Sequence, residues 1–273
     1  MIENILICPV CGKFLKWEEK RVYCESGHSF DMAKEGYYYL ITKQGYSVSG
    51  DSAESVRARR EFLNSGYYEV LAKKLVEIVE NYGKNGDILT DACCGEGYYS
   101  GYISKNSSVK VNVFGFDLSK AAVRLAAKAY SENVFFTANI SAIPQASSSS
   151  DIMLHSFAPV HNSEFSRVLK KNGILIDVIP SKRHLWQLKE VLYAEPYEND
   201  EESSVGDPFT LIESVNALDS VTLDKNGIKN VLFMTPYAYK TSEEAEKRLL
   251  ALDELETEIG FTVNVYKNTK GDF

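Results

Sequence analysis

Three cysteines and one histidine near the start of the chain have the spacing of a zinc site. Cys8 and Cys11 form a CxxC pair, and Cys24 and His28 follow as CxxxH. Thiolates and an imidazole at this spacing can surround one Zn²⁺ tetrahedrally, and four protein ligands leave no position for a reactive water. We therefore expect a structural zinc whose binding energy folds a segment too small to fold by burial alone.

A second chemical pattern lies where a short apolar run enters a glycine turn. Asp91 stands near the end of the run, and Gly95, Glu96 and Gly97 form the turn. Glycines let the backbone approach a ligand closely at the carboxyl end of the first strand of a doubly wound sheet. The turn lacks the third glycine of GxGxxG and the chain has no GxxxxGK[ST], which argues against dinucleotides and nucleoside triphosphates.

The next two predicted strands add residues suited to an adenosine. Asp117 ends the second strand, where a carboxylate can accept both ribose hydroxyls. Asn139 follows the third strand, and Ile143 with Pro144 would frame the adenine. Together with the glycine turn, these residues predict an S-adenosylmethionine site, although a nucleotide-binding fold for another ligand stays open.

The turn also holds two adjacent cysteines, Cys93 and Cys94. Pyrimidine C5 methyltransferases attack the base with a cysteine that follows the fourth strand, and residues 157–160 at that position contain no sulfur. The same segment lacks the Asp/Asn-Pro-Pro-aromatic motif of exocyclic-amine methyltransferases. Covalent catalysis is therefore disfavoured, and methylation of a ring nitrogen or a hydroxyl remains.

Alternating strands and helices must position these residues. Strands are predicted at 88–92, 111–116, 134–137, 152–156 and 174–179. Helices are predicted at 98–104, 119–130, 163–169 and 184–193, and two earlier helices are separated by Gly66 within 53–82. This alternation predicts a Rossmann-like α/β sheet of the class I methyltransferase type, with helices on both faces. The tail is predicted as strands at 231–235 and 261–266 flanking a helix at 242–259, after an exposed acidic loop at 195–207.

Three regions follow from this organisation. Residues 1–45 form a small β-rich zinc module, residues 46–84 contain a linker at 46–53 and the two helices, and residues 85–273 form the methyltransferase domain. The Tyr37–Tyr39 run ends the zinc module, where aromatic rings would either pack in a core or stack on unpaired bases.

Charge is distributed unevenly along the chain. The formal net charge is −8, from 30 Lys and Arg against 38 Asp and Glu, which on average disfavours nucleic acid as a partner. The acidic excess is C-terminal, so the front of the chain could approach phosphates through Arg57, Arg59 and Arg60, or these could form a solvated helix face. The absence of a long apolar run and of a signal-peptide pattern predicts a cytoplasmic protein.

The whole set of motifs resembles one family, the large-subunit (23S) ribosomal RNA guanine-N1 methyltransferases. The resemblance covers nearly the whole chain. Its motifs are the zinc ligands followed by FDMAKEGY at 30–37, GDSAE at 50–54, RR at 59–60, FL at 62–63, GEGYY at 95–99, AP at 158–159, RHL at 183–185 and LK at 188–189.

The resemblance implies S-adenosylmethionine-dependent methylation of a guanine N1 in a hairpin loop of 23S rRNA, a zinc module that grips the RNA, and a homodimer. It assigns zinc to the four ligands above and cofactor contacts to Tyr68, Tyr99, Ser100 and His184. The family's Gram-positive branch is associated with macrolide resistance. It commonly has glycine at the position of Cys93, and a cysteine there is expected to have negative φ.

Two other functions stay open. A small-molecule methyltransferase of the ubiquinone type would share the cofactor half but has no use for a zinc module. A zinc-stabilised RNA-binding protein without activity would need a damaged cofactor turn, and the turn looks intact. No residue is an obvious base for the guanine N1 proton; His155 is a hypothesis because it ends the fourth strand.

Overall fold

The computed structural model describes residues 2–42 and 51–270, with the side chain of Tyr239 left out. Residues 46–50 of the predicted linker, including Gly50, lie outside the described residues. Within the described part, the strands form a small and a large sheet, and the helices pack on the large one. No helix of the described part is long and apolar enough to cross a membrane.

The small sheet contains β1 (Lys16–Glu18), β2 (Arg21–Tyr23) and β3 (Ser29–Asp31) in antiparallel order. The strands of the large sheet are β4 (Tyr37–Tyr39), β5 (Ile88–Ala92), β6 (Asn112–Asp117), β7 (Val134–Thr137), β8 (Ser150–Ser156), β9 (Leu169–Pro180), β10 (Phe209–Asp224) and β11 (Glu254–Asn268). The helices are α1 (Ala53–Asn64), α2 (Glu69–Tyr82), α3 (Tyr98–Asn106), α4 (Lys120–Ala129), α5 (Asn162–Val168), α6 (Trp186–Leu192), α7 (Lys225–Met234), α8 (Tyr237–Lys240) and α9 (Glu243–Leu250).

The large sheet has the order β10-β11-β9-β8-β5-β6-β7-β4. Strands β4 to β9 pair with one another in parallel, and β11 joins β9 antiparallel. Strands β6 and β7 are therefore added on one side of β5 and strands β8 and β9 on the other side. The boundary between β5 and β8 is thus the topological switch point. Ligands of doubly wound sheets bind outside the carboxyl ends of the strands at this point. The predicted α/β class is confirmed, and the order of strands and helices is confirmed from β5 to α6.

The zinc module is joined to the large sheet through β4. Tyr37, Tyr38 and Tyr39 pair in parallel with residues 135–137 of β7, and the first two tyrosines are buried. Stacking on unpaired bases is thereby unavailable to those two rings, which pack in the protein core instead. Tyr39 alone of the three is exposed.

The tail differs from its prediction in three respects. Residues 231–235 form the end of helix α7 and its cap rather than a strand, because Ile228, Val231 and Leu232 form one buried helical face. The predicted helix at 242–259 ends at Leu250, and its second half is part of β11. Strand β10 was not predicted; its largely exposed, polar sequence forms a strand because it pairs along its length with β11.

Candidate active site and zinc site

The four predicted zinc ligands converge in the N-terminal module. One ligand atom from each of Cys8, Cys11, Cys24 and His28 lies within 4.8 Å of the others. The Sγ atoms of Cys11 and Cys24 are 3.6 Å apart, and His28 Nδ1 lies 3.4 Å from Cys24 Sγ. Ligands about 2.0–2.3 Å from a tetrahedral zinc stand roughly 3.5–3.8 Å from one another, so the donor set fits this metal.

Backbone groups favour thiolates in this cluster. The N–H of Val10 donates to Cys8 Sγ at 3.4 Å, and the N–H of Lys13 lowers the pKa of Cys11 to about 6. Burial raises the pKa of Cys8 to about 11, and a bound zinc would reverse this because metal coordination deprotonates a thiol. The CxxC turn therefore presents the Cys11 sulfur as a thiolate that can bind the metal, whereas the Cys8 sulfur is buried inside the module.

The glycine turn follows β5 at the switch point. Cys94 N–H donates to Phe116 O at 2.9 Å, which ties the turn to the end of β6. Gly95 and Gly97 have φ of 55° and 75°. Among the described residues, a methyl group added at Gly95 would meet only Arg59 Nη1, at 4.0 Å, so the backbone leaves room there for a ligand.

Cys93 has φ of 59°, contrary to the negative value that we expected for a cysteine. The position thus keeps the left-handed backbone for which the family commonly uses glycine, and the cysteine adopts it with strain. Burial raises the pKa of the Cys93 thiol and of the neighbouring Cys94 thiol, and the nearby carboxylates Asp91 and Asp117 raise both further. Both thiols are held protonated, which supports their interpretation as small loop residues rather than nucleophiles.

Two carboxylates face the turn. Asp117 ends β6, where its Oδ2 accepts the N–H of Gly95 at 3.0 Å and its Oδ1 accepts the N–H of Ser119 at 2.7 Å. Burial raises the pKa of Asp117, and these two N–H groups oppose the rise. Burial raises the pKa of Asp91 to about 7, opposed by a hydrogen bond from Ser100. Each carboxylate has acceptor capacity left for a cationic or hydroxyl-bearing ligand.

Glu96 turns away from this space. Its carboxylate is 3% exposed and pairs with Arg60 of α1 at 3.3 Å, while Oε1 has no hydrogen-bond partner among the described residues. Burial raises the pKa of Glu96 to about 7, and Arg60 and Arg59 oppose the rise. Any contact between Glu96 and a cofactor would therefore come from its backbone, and its side chain anchors the turn to α1.

Arg59 and Arg60 are engaged with the protein rather than with solvent. Arg59 pairs with Asp51 and donates to Met234 O at 3.2 Å. Arg60 holds Glu96 and donates to Leu125 O at 3.5 Å. Only Arg57 of the predicted basic cluster is exposed, so the cluster packs α1 over the cofactor turn and offers little to RNA phosphates.

Tyr68 and His184, to which the resemblance assigns cofactor contacts, lie against each other. The hydroxyl of Tyr68 lies 2.9 Å from His184 Nε2, and the N–H of Gly260 donates to His184 Nδ1 at 3.2 Å. Burial lowers the pKa of His184 to about 3, so the ring is neutral. Tyr99 and Ser100 lie in the first turn of α3, directly after the glycine turn.

Asn139 follows β7 as predicted, next to Ala138, whose N–H donates to Asp117 O at 3.1 Å. The side-chain oxygen of Asn139 accepts hydrogen bonds from the N–H and the hydroxyl of Ser141, both at 2.8 Å. Ile143 and Pro144 are buried, and Pro144 O accepts the N–H of Ile7 at 3.0 Å. Ile143 thus packs in the same cluster as Ile5 and Leu6 of the N-terminal segment, and the contact of Ile143 and Pro144 with an adenine stays a prediction.

His155 lies at the end of β8 but is buried, with its ring against Phe165. Its Nδ1 contacts Asp177 Oδ1 at 2.7 Å, and Nε2 has no hydrogen-bond partner among the described residues. Asp177 Oδ2 accepts the hydroxyl of Ser203 at 2.7 Å. The burial of His155 argues against direct contact with a substrate in this conformation.

Sequence reasoning missed how residues 195–207 are held. The predicted loop at 195–207 has no helix, strand or buried residue, but it is held in place: Ser203 bonds to Asp177 of β9, and the buried Lys189 donates to Tyr197 O at 2.9 Å and Asn199 Oδ1 at 2.7 Å. A strap therefore runs across the carboxyl end of β9. The lysine at 189 within an otherwise apolar helix face is the one sequence signal that could have indicated it.

Comparisons with known proteins agree with this geometry. Residues 6–45 match the family model described as "RlmA, N-terminal", a zinc ribbon, and residues 89–173 match the model described as "Methyltransferase domain". The chain is 31% identical over 224 residues to the "Putative 23S rRNA (guanine-N(1)-)-methyltransferase" of Micromonospora griseorubida, covering 75% of this chain and 75% of that protein.

The chain belongs to the 23S rRNA (guanine-N1) methyltransferase family. A second member, the "23S rRNA (guanine(748)-N(1))-methyltransferase" of Streptomyces fradiae, is 26% identical over 96% of this chain and 97% of its own. In this guanine-N1 methyltransferase family member, the predicted zinc ribbon and methyltransferase fold are thus confirmed.

A solved structure supports the fold alone. A chain in the structure titled "Complex between the Haloferax volcanii Trm112 methyltransferase activator and the putative methyltransferase" has a TM-score of 0.50 and 16% identity, covering 81% of this chain and 99% of its own.

Proposed function

We propose that this protein transfers the methyl group of S-adenosylmethionine to N1 of a guanine in a hairpin loop of 23S rRNA. The observation that carries the proposal is membership in a family whose relatives bear this activity in their names. The glycine turn and Asp117 support it because they fit an adenosine, and the zinc ribbon supports it because a small-molecule methyltransferase has no use for one. An inactive RNA-binding protein is disfavoured by the intact turn.

The cofactor would be held by the residues around the turn. The open backbone at Gly95 and the carboxylate of Asp117 suit the ribose, with Gly97 and Asn139 at the flanks of the adenosine. Asp91, Tyr99 and Ser100 would meet the methionine end, and Tyr68 and His184 would close the site beside them. The bound cofactor supplies a sulfonium methyl group that is already activated for transfer.

Positioning accounts for most of the catalysis in this proposal. The chain must align the guanine N1 in line with the transferring methyl group and let its proton leave. His184 is neutral and bonded to Tyr68, so the two form a fixed wall rather than an acid–base pair. The buried chain from Ser203 through Asp177 to His155 stiffens the end of β8, where the acceptor would arrive.

The partner and the location follow from the substrate. A 23S rRNA acceptor would be gripped by the zinc ribbon and would place the reaction in the cytoplasm. The homodimer implied by the resemblance is part of the proposal, and the apolar side chains that edge strand β10 exposes, Leu211, Ile212 and Leu218, support it as a surface that a second copy could cover.

Transfer of tritium from labelled cofactor tests this function. Unmodified 23S rRNA should take up label at one guanine, and the same RNA already carrying 1-methylguanosine there should take up none. Asp117→Ala should weaken cofactor binding and transfer by about 10- to 100-fold, since it removes charge-assisted hydrogen bonds. The matched variant Asp253→Ala, whose side chain is 90% exposed just before β11, should match the wild type. Label in a small quinol and none in RNA would overturn the proposal.

A further inference from the structure

We propose that Phe157 is the platform on which the target guanine stacks when it reaches the cofactor site. The inference rests on the proposed function and assigns a substrate contact that the residues discussed above do not supply. Four observations carry it: the position of Phe157 at the switch point, its strained backbone, its exposed ring, and the rigid aromatic support beneath it.

Phe157 directly follows β8, the strand beside β5. The two strands are paired so that Ala92 lies opposite His155, which brings the cofactor turn at Cys93 next to Ser156 and Phe157. The acceptor atom of a doubly wound methyltransferase must approach at this edge because the cofactor is bound there. Phe157 is therefore within the region that the substrate must enter.

The backbone of Phe157 is strained and its ring is exposed. Its φ is 56°, in the left-handed region that bulky residues rarely adopt, and its N–H donates to Val178 O at 3.3 Å. The residue is 49% exposed, whereas the phenylalanines of the core are fully buried. The exposed half of the ring is not covered by the described residues, and backbone strain of this kind concentrates at functional sites. The two features together indicate that the ring serves a ligand.

One side of the ring has a rigid support. Phe157 packs on Phe261 with ring centroids 5.6 Å apart, and Phe261 packs on His184 at 4.6 Å and on Tyr68 at 4.8 Å. His184 and Tyr68 are joined by their 2.9 Å hydrogen bond. The platform is thus fixed relative to the residues proposed to close the cofactor site.

Stacking suits the chemistry of guanine N1. The nitrogen lies on the edge of the base, so a ring that holds the face leaves N1 free to approach the methyl group in line. Proteins read unpaired RNA bases by stacking them on aromatic side chains, and a base drawn out of a loop must find a new stacking partner. An exposed, fixed phenyl ring at the edge of the sheet meets that need.

The test compares Phe157→Leu and, as the conservative control, Phe157→Trp with wild type. Phe157→Leu should lower kcat/KM for RNA roughly 5- to 150-fold, the range that base–aromatic stacking supports. Phe157→Trp should keep activity near that of wild type, because stacking needs only a flat ring. Neither change should alter the cofactor Kd.

A spectroscopic readout separates stacking from a structural role. An RNA hairpin with 2-aminopurine at the mapped target position should be quenched on binding to wild type and to Phe157→Trp, but not to Phe157→Leu. Full kcat/KM in Phe157→Leu, or equal quenching by all variants, would overturn the inference. Failure of the proposed function is distinguishable, because wild type would then transfer no label to guanine in any RNA.

Discussion

At the scale of single residues, the sequence predicts the zinc ligands but not the backbone conformation of the turn after β5. The zinc ligands could be predicted completely, because metal spacing is a local property of the chain. The conformation of Cys93 could not, because a cysteine gives no indication that its neighbours impose a positive φ. In the folded protein, the parallel strands fix the path of the turn, and Cys93 adopts the positive φ that this path requires.

This strain gives a prediction on stability. Cys93→Gly should raise the free energy of unfolding by about 1 kcal/mol, because glycine adopts φ of 59° freely and the strain exceeds the entropy that glycine adds to the unfolded chain. Urea unfolding of the cofactor-free protein measures it. Cys94→Gly is the matched control: its φ is not positive and its thiol packs near Gly115, so it should be destabilised. An equal loss of unfolding free energy in both variants would contradict the strain at Cys93.

At the scale of elements, hydrophobic periodicity predicted the parallel half of the sheet and the helices around it. It failed for β10 and for the first half of β11, where the pattern is polar or mixed. Those strands form because each pairs with a neighbour distant in sequence, and a local pattern contains no information on such pairing. For the same reason, the sequence did not predict the contacts of Lys189 and Asp177 that hold the loop at 195–207 in place.

The contact between α1 and the cofactor turn gives the second prediction. The pKa of Glu96 is about 7 in the folded protein and near 4.5 in an unfolded chain, so this group lowers stability as pH rises between these values. Arg60→Met removes the cation that opposes the rise. We expect a loss of about 2 kcal/mol at pH 8, because the buried carboxylate is then charged and unpaired, and a much smaller loss at pH 5.5, where it is protonated.

Unfolding in urea at the two pH values measures the effect. The control Arg57→Met changes an exposed arginine of the same helix, which donates to Ala53 O of its own helix, and should leave stability nearly unchanged. The double variant Arg60→Met/Glu96→Gln should recover most of the loss at pH 8. A loss of equal size at both pH values would show that packing, and not charge, holds α1 on the turn.

At the scale of the whole molecule, the zinc module and the methyltransferase domain share a sheet and a core. β4 is the last strand of the large sheet, and Ile5 and Leu6 are buried in the same cluster as Phe114 and Phe136. The sequence predicted both parts but not this junction, because β4 is only three residues long and its partner β7 lies about a hundred residues later.

Zinc removal tests how far the two parts depend on each other. Two of the zinc ligands, Cys24 and His28, lie between β2 and β3, so the small sheet should depend on the metal, whereas Tyr37 and Tyr38 of β4 are buried against the large sheet. A chelator should therefore lower the Tm by several degrees and abolish methyl transfer to RNA, while the cofactor Kd changes by no more than about threefold. Adding Zn²⁺ back should restore transfer and Mg²⁺ should not, because the thiolate and imidazole ligands suit zinc. If the cofactor Kd instead rose in step with the loss of transfer, the ribbon would be supporting the cofactor turn itself rather than the RNA.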